Sequence, residues 1–134
     1  MFDQLNSLRP NAHWLLRIAF AAVFIFHGVG KVASFEAFSG MMGLSMPVAA
    51  LVTFAEIAAG FGIILGGFKS ELITRLAGLA AIPVLFGAII MVHGPRWSFT
   101  PADGFPMGGM EFQVVLLLVA AYFLIMGNAQ NHPN

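Results

Sequence analysis

The sequence predicts an all-α integral membrane protein, an antiparallel four-helix bundle forming one transmembrane domain over residues 1–134. Three observations predict it. Of the 134 residues, 59% are hydrophobic and only 9% charged, where ordinary soluble domains carry roughly 25% charged residues. The few charges sit between apolar runs. Those runs are four in number, each near the roughly 20 residues that a helix needs to cross a bilayer.

The first span is expected over about 13–33, with Trp14 in the aromatic belt of one interface. Arg9 and Arg17 imitate a basic leader, but the apolar run continues to Val32 without a small-residue cleavage site, so the helix reads as retained. The second span, about 47–66, opens at Ser45-Met46-Pro47, with proline at a tolerated first-turn position, and stops at Gly66-Gly67. The third, about 71–93, starts from a Ser70 cap with Glu71 in its first turn and ends at His93-Gly94-Pro95. Pro83 inside it predicts a kink. The fourth runs over about 110–127 and stops at Gly127-Asn128. A tight turn at 67–71 implies antiparallel neighbours, whereas 34–46 and 94–109 are longer connections. The second of these, rich in Gly, Pro and aromatics, reads as a structured cap or interfacial loop.

Net charge is zero, which gives nucleic acid no footprint. The absence of cysteine excludes thiolate metal sites, iron–sulfur clusters and a dithiol relay. Arg9, Arg17, Lys69 and Arg75 fall on one side of a four-span topology and Lys31 and Arg96 on the other. That asymmetry predicts an inner-membrane protein with both termini in the cytoplasm and both long connections facing outward.

Glu56 lies in the middle of the second apolar run. A carboxylate there costs at least about 2.5 kcal/mol unless it is paired, hydrated or protonated, so it is read as a functional site. His27 and Lys31 share a face of the first helix by their i,i+4 spacing. His93 closes the third helix and Glu111 opens the fourth at the same outer side. These groups are expected to turn inward around one outward-opening pocket that binds a ligand through His27, Lys31, Glu56, His93 and Glu111. Trp97 and Phe99 would stand at its mouth, and Gly28, Gly30, Gly60 and Gly62 would let backbones approach. Glu56 and His27 are the candidates for proton handling. Arg17 and Arg75 are expected to snorkel to the opposite interface. Blander readings exist: Lys31, His93 and Glu111 can mark helix ends, and Glu56 can serve a purely structural ion pair with Lys31.

At these residues the chain resembles the DoxX family of small four-helix membrane proteins. The matching elements are Phe26-His27-Gly28-Val29-Gly30-Lys31, Ala55-Glu56 followed by Gly66-Gly67-Phe68, His93-Gly94, and Gly108-Gly109-Met110-Glu111. The resemblance covers about Leu15 to Gly127. It implies a membrane partner in quinone-linked redox or redox-stress complexes, as in thiosulfate:quinone oxidoreductase and in quinone or catechol detoxification. A mammalian branch is similar to receptor-assembly chaperones. The resemblance points at the five ionisable residues without assigning them chemistry.

Three function classes fit. A quinone-linked subunit would use His27 and Lys31 as donors to a carbonyl and Glu56 or Glu111 to pass protons, working with a membrane or periplasmic redox partner. A non-enzymatic scaffold or assembly partner would use the 94–109 loop for docking, and a homo-oligomer fits either. A haem or metal site between His27 and His93 is the weaker reading, since neither a Glu-x-x-His pair nor a Cys-x-x-Cys-His motif is present. A transporter is disfavoured, because the polar groups form one outward cluster without an inner counterpart.

Overall fold

Apolar runs in a medium without water must satisfy their own backbone polar groups, and helix does so within each run. The computed structural model describes residues 2–128, and their regular structure is helical apart from one isolated bridge between Ala102 and Phe105. After a short α1 (Phe2–Asn6) and a 3₁₀ turn at Arg9–Asn11 come α2 (His13–Ala33), α3 (Phe35–Met42), α4 (Met46–Lys69) and α5 (Glu71–Ala88). A π-helical turn (Ile89–His93) prolongs α5, and α6 (Glu111–Met126) is the last element. Three helices are long and apolar enough to cross a membrane: Arg9–Ala33, Met46–Lys69 and Glu71–His93. Helix α6 is apolar but shorter, at 16 residues. This is a multi-pass membrane protein. The expected cytoplasmic placement of the C-terminal tail concerns residues 129–134, which lie outside the described part.

Helix α2 packs on α4, α4 on α5, and α5 on α6, while α2 and α6 touch lightly. The close contacts fall on glycines. A Cβ on Gly28 would stand 2.7 Å from Ile57, and one on Gly60 would stand 2.7 Å from Ile25. Gly66 faces the backbone and hydroxyl of Thr74, and Gly78 faces the Ala120 carbonyl. Phe20, Phe24, Ile63, Ala77, Ala81, Leu116, Ala120 and Phe123 fill the centre. Large apolar side chains also cover the outside, among them Phe26, Leu51, Phe54, Leu79, Leu118 and Ile125. An apolar exterior around an apolar interior is the pattern of a lipid-immersed fold.

Several expectations are corrected. The connection 34–46 contains α3, which ends at Gly43 with φ +61°. Helix α4 continues through Gly66-Gly67 to Lys69, because those glycines receive neighbouring side chains: Gly66 meets Thr74 and Gly67 meets Trp14. Ser70 is the single extended residue between α4 and α5, and its hydroxyl caps nothing. The helix is unbroken at Pro83 and continues to Ala88, followed by a π-helical turn at Ile89–His93. Gly30 faces open space rather than a neighbouring backbone.

Candidate functional site

Glu56 has a partner. Lys31, near the end of α2, donates from Nζ to both Glu56 carboxylate oxygens, at 2.9 and 2.7 Å. The Gly28 contact makes this geometry, since it brings the Glu56 Cβ and the α2 backbone together. Helix α3 covers the pair: Nζ stands 5.0 Å from the centre of the Phe38 ring, a favourable position for a cation over an aromatic face. Glu56 is buried and the Lys31 side chain is 18% exposed. Two desolvated opposite charges hold each other here, and removing either would strand the other.

An open apolar groove of about 360 Å³ is lined by Val32, Phe35, Ala50, Thr53, Phe54 and Ile57, chain neighbours of the pair; Lys31 and Glu56 themselves do not line it. Val32 follows Lys31 in the chain, and Thr53 and Ile57 flank Glu56 on α4. Phe54 and Val32 are exposed, so the groove opens sideways toward lipid. The Thr53 hydroxyl donates to the Ala49 carbonyl at 2.8 Å, leaving its oxygen free to accept.

The other expected site residues lie elsewhere. His27 is exposed one turn before Lys31, within electrostatic range of Lys31 and Glu56. Among the described residues neither of its ring nitrogens has a hydrogen-bond partner. His93 has both nitrogens engaged, Nδ1 with the Gly108 carbonyl at 3.1 Å and Nε2 with the Gln113 amide at 3.0 Å. With Nδ1–H donating to Gly108, Nε2 accepts from Gln113 and the ring is neutral in that arrangement. Glu111 accepts from the Phe99 backbone N–H at 3.3 Å, and its own N–H donates to the Trp97 carbonyl at 3.0 Å. Trp97 and Phe99 point outward, 54% and 61% exposed. No hydrogen bond or ion pair among the described residues links His93 or Glu111 to Lys31 or Glu56, so the five groups do not form one bonded cluster. Nor do three or more His, Cys, Asp or Glu side chains among them gather as metal ligands.

A second polar centre was missed. Arg17 is fully buried, not snorkelling. Its Nε donates to His13 Nδ1 at 2.9 Å, and Nη1 donates to the Ile63 carbonyl at 2.6 Å and to Thr74 Oγ1 at 3.0 Å. Its Nη2 donates to Asn128 Oδ1 at 2.7 Å and to the Gly127 carbonyl at 3.5 Å. All five guanidinium N–H groups are thus used. Asn128 completes the network by donating to the Gly66 carbonyl and accepting from Thr74. One side chain ties α2, α4, α5 and the end of α6. The signal was in the sequence: Arg17 is a charge inside an apolar run, the same anomaly as Glu56.

A family description, DoxX, matches residues 12–94, more than half of the chain. The chain belongs to the DoxX family. The matched part includes Arg17, His27, Lys31, Glu56 and His93 and ends before Gln113 and Glu111. For this DoxX protein, comparison with curated proteins and with solved structures returned no match.

Proposed function

We propose that this DoxX protein is a membrane subunit that takes a lipid-soluble quinone from the bilayer into the groove beside Lys31 and Glu56. What supports the reading is a buried ion pair whose chain neighbours Val32, Thr53 and Ile57 line an open apolar groove. The groove is shallow and open along one side, so it would cover one face of a ring and leave the other to lipid. Val32, Phe35, Phe54 and Ile57 would hold the ring and the start of its tail. Lys31 is the nearest cationic donor for a carbonyl oxygen, and Glu56 the nearest proton acceptor. His27, whose ring nitrogens have no hydrogen-bond partner among the described residues, would exchange protons with Glu56. When bound, a quinone supplies a two-electron, two-proton couple. The chain itself supplies a dry slot, a charge pair and proton-handling groups, and electrons would come from a partner protein.

The architecture that goes with this reading is an antiparallel four-helix bundle with α6 as the fourth span, in the inner membrane with both termini cytoplasmic. Arg17 lies inside the fold, and Lys31 and Arg75 are paired with Glu56 and Glu71, which leaves Arg9 and Lys69 against Arg96. That remaining asymmetry supports the same orientation.

A short-tailed quinone analogue added to the detergent-solubilised protein is expected to raise its melting temperature. Ala50→Trp, which fills the groove, is expected to abolish the shift while leaving the unliganded melting temperature near that of the parent. An analogue that leaves the parent's melting curve unchanged overturns the reading and makes a scaffold or assembly role the one to pursue.

A further inference from the structure

Taken as the fourth span of the architecture proposed above, on which this inference rests, helix α6 is short. Its 16 residues rise about 24 Å, against a hydrocarbon core of about 30 Å. Its end is level with the start of α5: Gly127 lies against the Glu71 side chain, and Arg75 donates to the Leu124 carbonyl at 2.8 Å. The shortfall therefore falls at the other end, where Glu111 opens α6 and the segment 94–110 arrives.

That segment satisfies part of its backbone itself and leaves part to solvent: among the described residues the N–H groups of Arg96, Trp97, Ser98, Thr100, Asp103, Gly104 and Met107 have no hydrogen-bond partner. Its two limbs pair backbone to backbone, Gly109 N–H to the Ser98 carbonyl at 2.8 Å and Met110 N–H to the Arg96 carbonyl at 2.8 Å. Glu111 N–H donates to Trp97 in the same series. Ala102 and Phe105 exchange both backbone hydrogen bonds, and Gly108 N–H donates to Phe105. Phe99 N–H is taken by Glu111 and the Thr100 carbonyl by Arg96. His93 and Gln113 pin the base. Irregular backbone with open N–H groups is excluded from the hydrocarbon core, so a segment half paired in this way fits the hydrated headgroup boundary and goes no deeper. Meanwhile Trp97, Phe99 and Met107 turn outward, each more than half exposed.

We propose that segment 94–110 sits in the headgroup–acyl boundary of the adjoining leaflet, with Trp97, Phe99 and Met107 as its lipid anchors, completing the crossing that α6 leaves short. The partner of this surface is lipid, not a docked protein. Tryptophan, with one polar edge, favours that boundary, and Phe99 and Met107 are exposed on the same segment. Asp103, exposed at the tip between Ala102 and Phe105, would reach past this boundary into water.

The chain has no cysteine, so single nitroxide labels can be placed cleanly. Phe99→Cys and Met107→Cys are labelled in phosphatidylethanolamine–phosphatidylglycerol vesicles, with Asp103→Cys as the water reference and Phe54→Cys as the lipid reference. Relaxation by oxygen relative to a neutral nickel chelate is expected to be several-fold higher at 99 and 107 than at 103, falling between the two references. Labels at 99 and 107 that meet the chelate as freely as the label at 103 overturn the proposal and return the loop to a water-facing docking role. Either position alone suffices if the other variant fails to fold.

Discussion

Arg17 and Glu56 are both charges inside apolar helices, and their surroundings accommodate them differently. Glu56 is neutralised by one cation, Lys31. Arg17 keeps its charge and is surrounded by neutral acceptors from four parts of the chain. Arg17→Met would remove every donor at once and leave those acceptors unpaired. Hydrogen bonds to charged groups are worth about 1.5–3 kcal/mol each, so a loss of more than about 3 kcal/mol is expected, read as a lowered melting temperature. Arg17→Lys should recover only part of it, since an ammonium cannot reproduce the planar fork. At the other centre, Glu56→Gln alone strands Lys31 and is expected to cost about 3–5 kcal/mol. Replacing both partners, Lys31→Met with Glu56→Gln, should return stability close to that of the parent, since neutral substitutes for a buried pair are often tolerated. A double variant no more stable than the single one would show that the two charges do not depend on each other.

Helix contacts here are decided by where a side chain is absent. A Cβ at Gly66 would press on the Thr74 backbone, with its nitrogen 2.5 Å away, and backbone cannot yield as a flexible side chain can. Gly66→Ala should therefore push α5 off α4, move Thr74 away from Arg17 and lower the melting temperature markedly. Gly30→Ala meets open space and should be neutral or stabilising, by up to about 1 kcal/mol from helix propensity. Equal effects from the two substitutions would contradict the packing described. The same contrast explains what the sequence made legible. The long helices were readable because each apolar run is long and lipid demands helix. Their ends were less so: Gly66-Gly67 looks like a stop and is a packing surface. Helix α3 was hidden in a stretch of mixed polarity. Its signal was the spacing of Phe35, Phe38 and Met42 ahead of Gly43, short enough to pass for a loop.

At the scale of the molecule, the two polar centres lie toward opposite ends of the long helices, with Arg17 near the start of α2 and Lys31 near its finish. The orientation proposed above predicts that Asp103→Cys reacts with a membrane-impermeant maleimide on intact spheroplasts, while Lys69→Cys reacts only after lysis. The reverse pattern would invert the topology. Sequence reasoning singled out Glu56 and Lys31, which the structure pairs, because an ionisable group in an apolar run is conspicuous. It overstated the gathering of His93 and Glu111 because depth along a helix does not fix direction around it. Those two hold the loop through Gly108, Gln113 and Phe99. The central claim is that the Lys31–Glu56 pair serves a bound quinone rather than the fold alone. The direct measurement is quinone binding by the Lys31→Met, Glu56→Gln double variant, whose neutral pair is expected to keep the protein folded. The account predicts a melting temperature near the parent's with the quinone-dependent shift lost. A double variant that binds the quinone as tightly as the parent would contradict it.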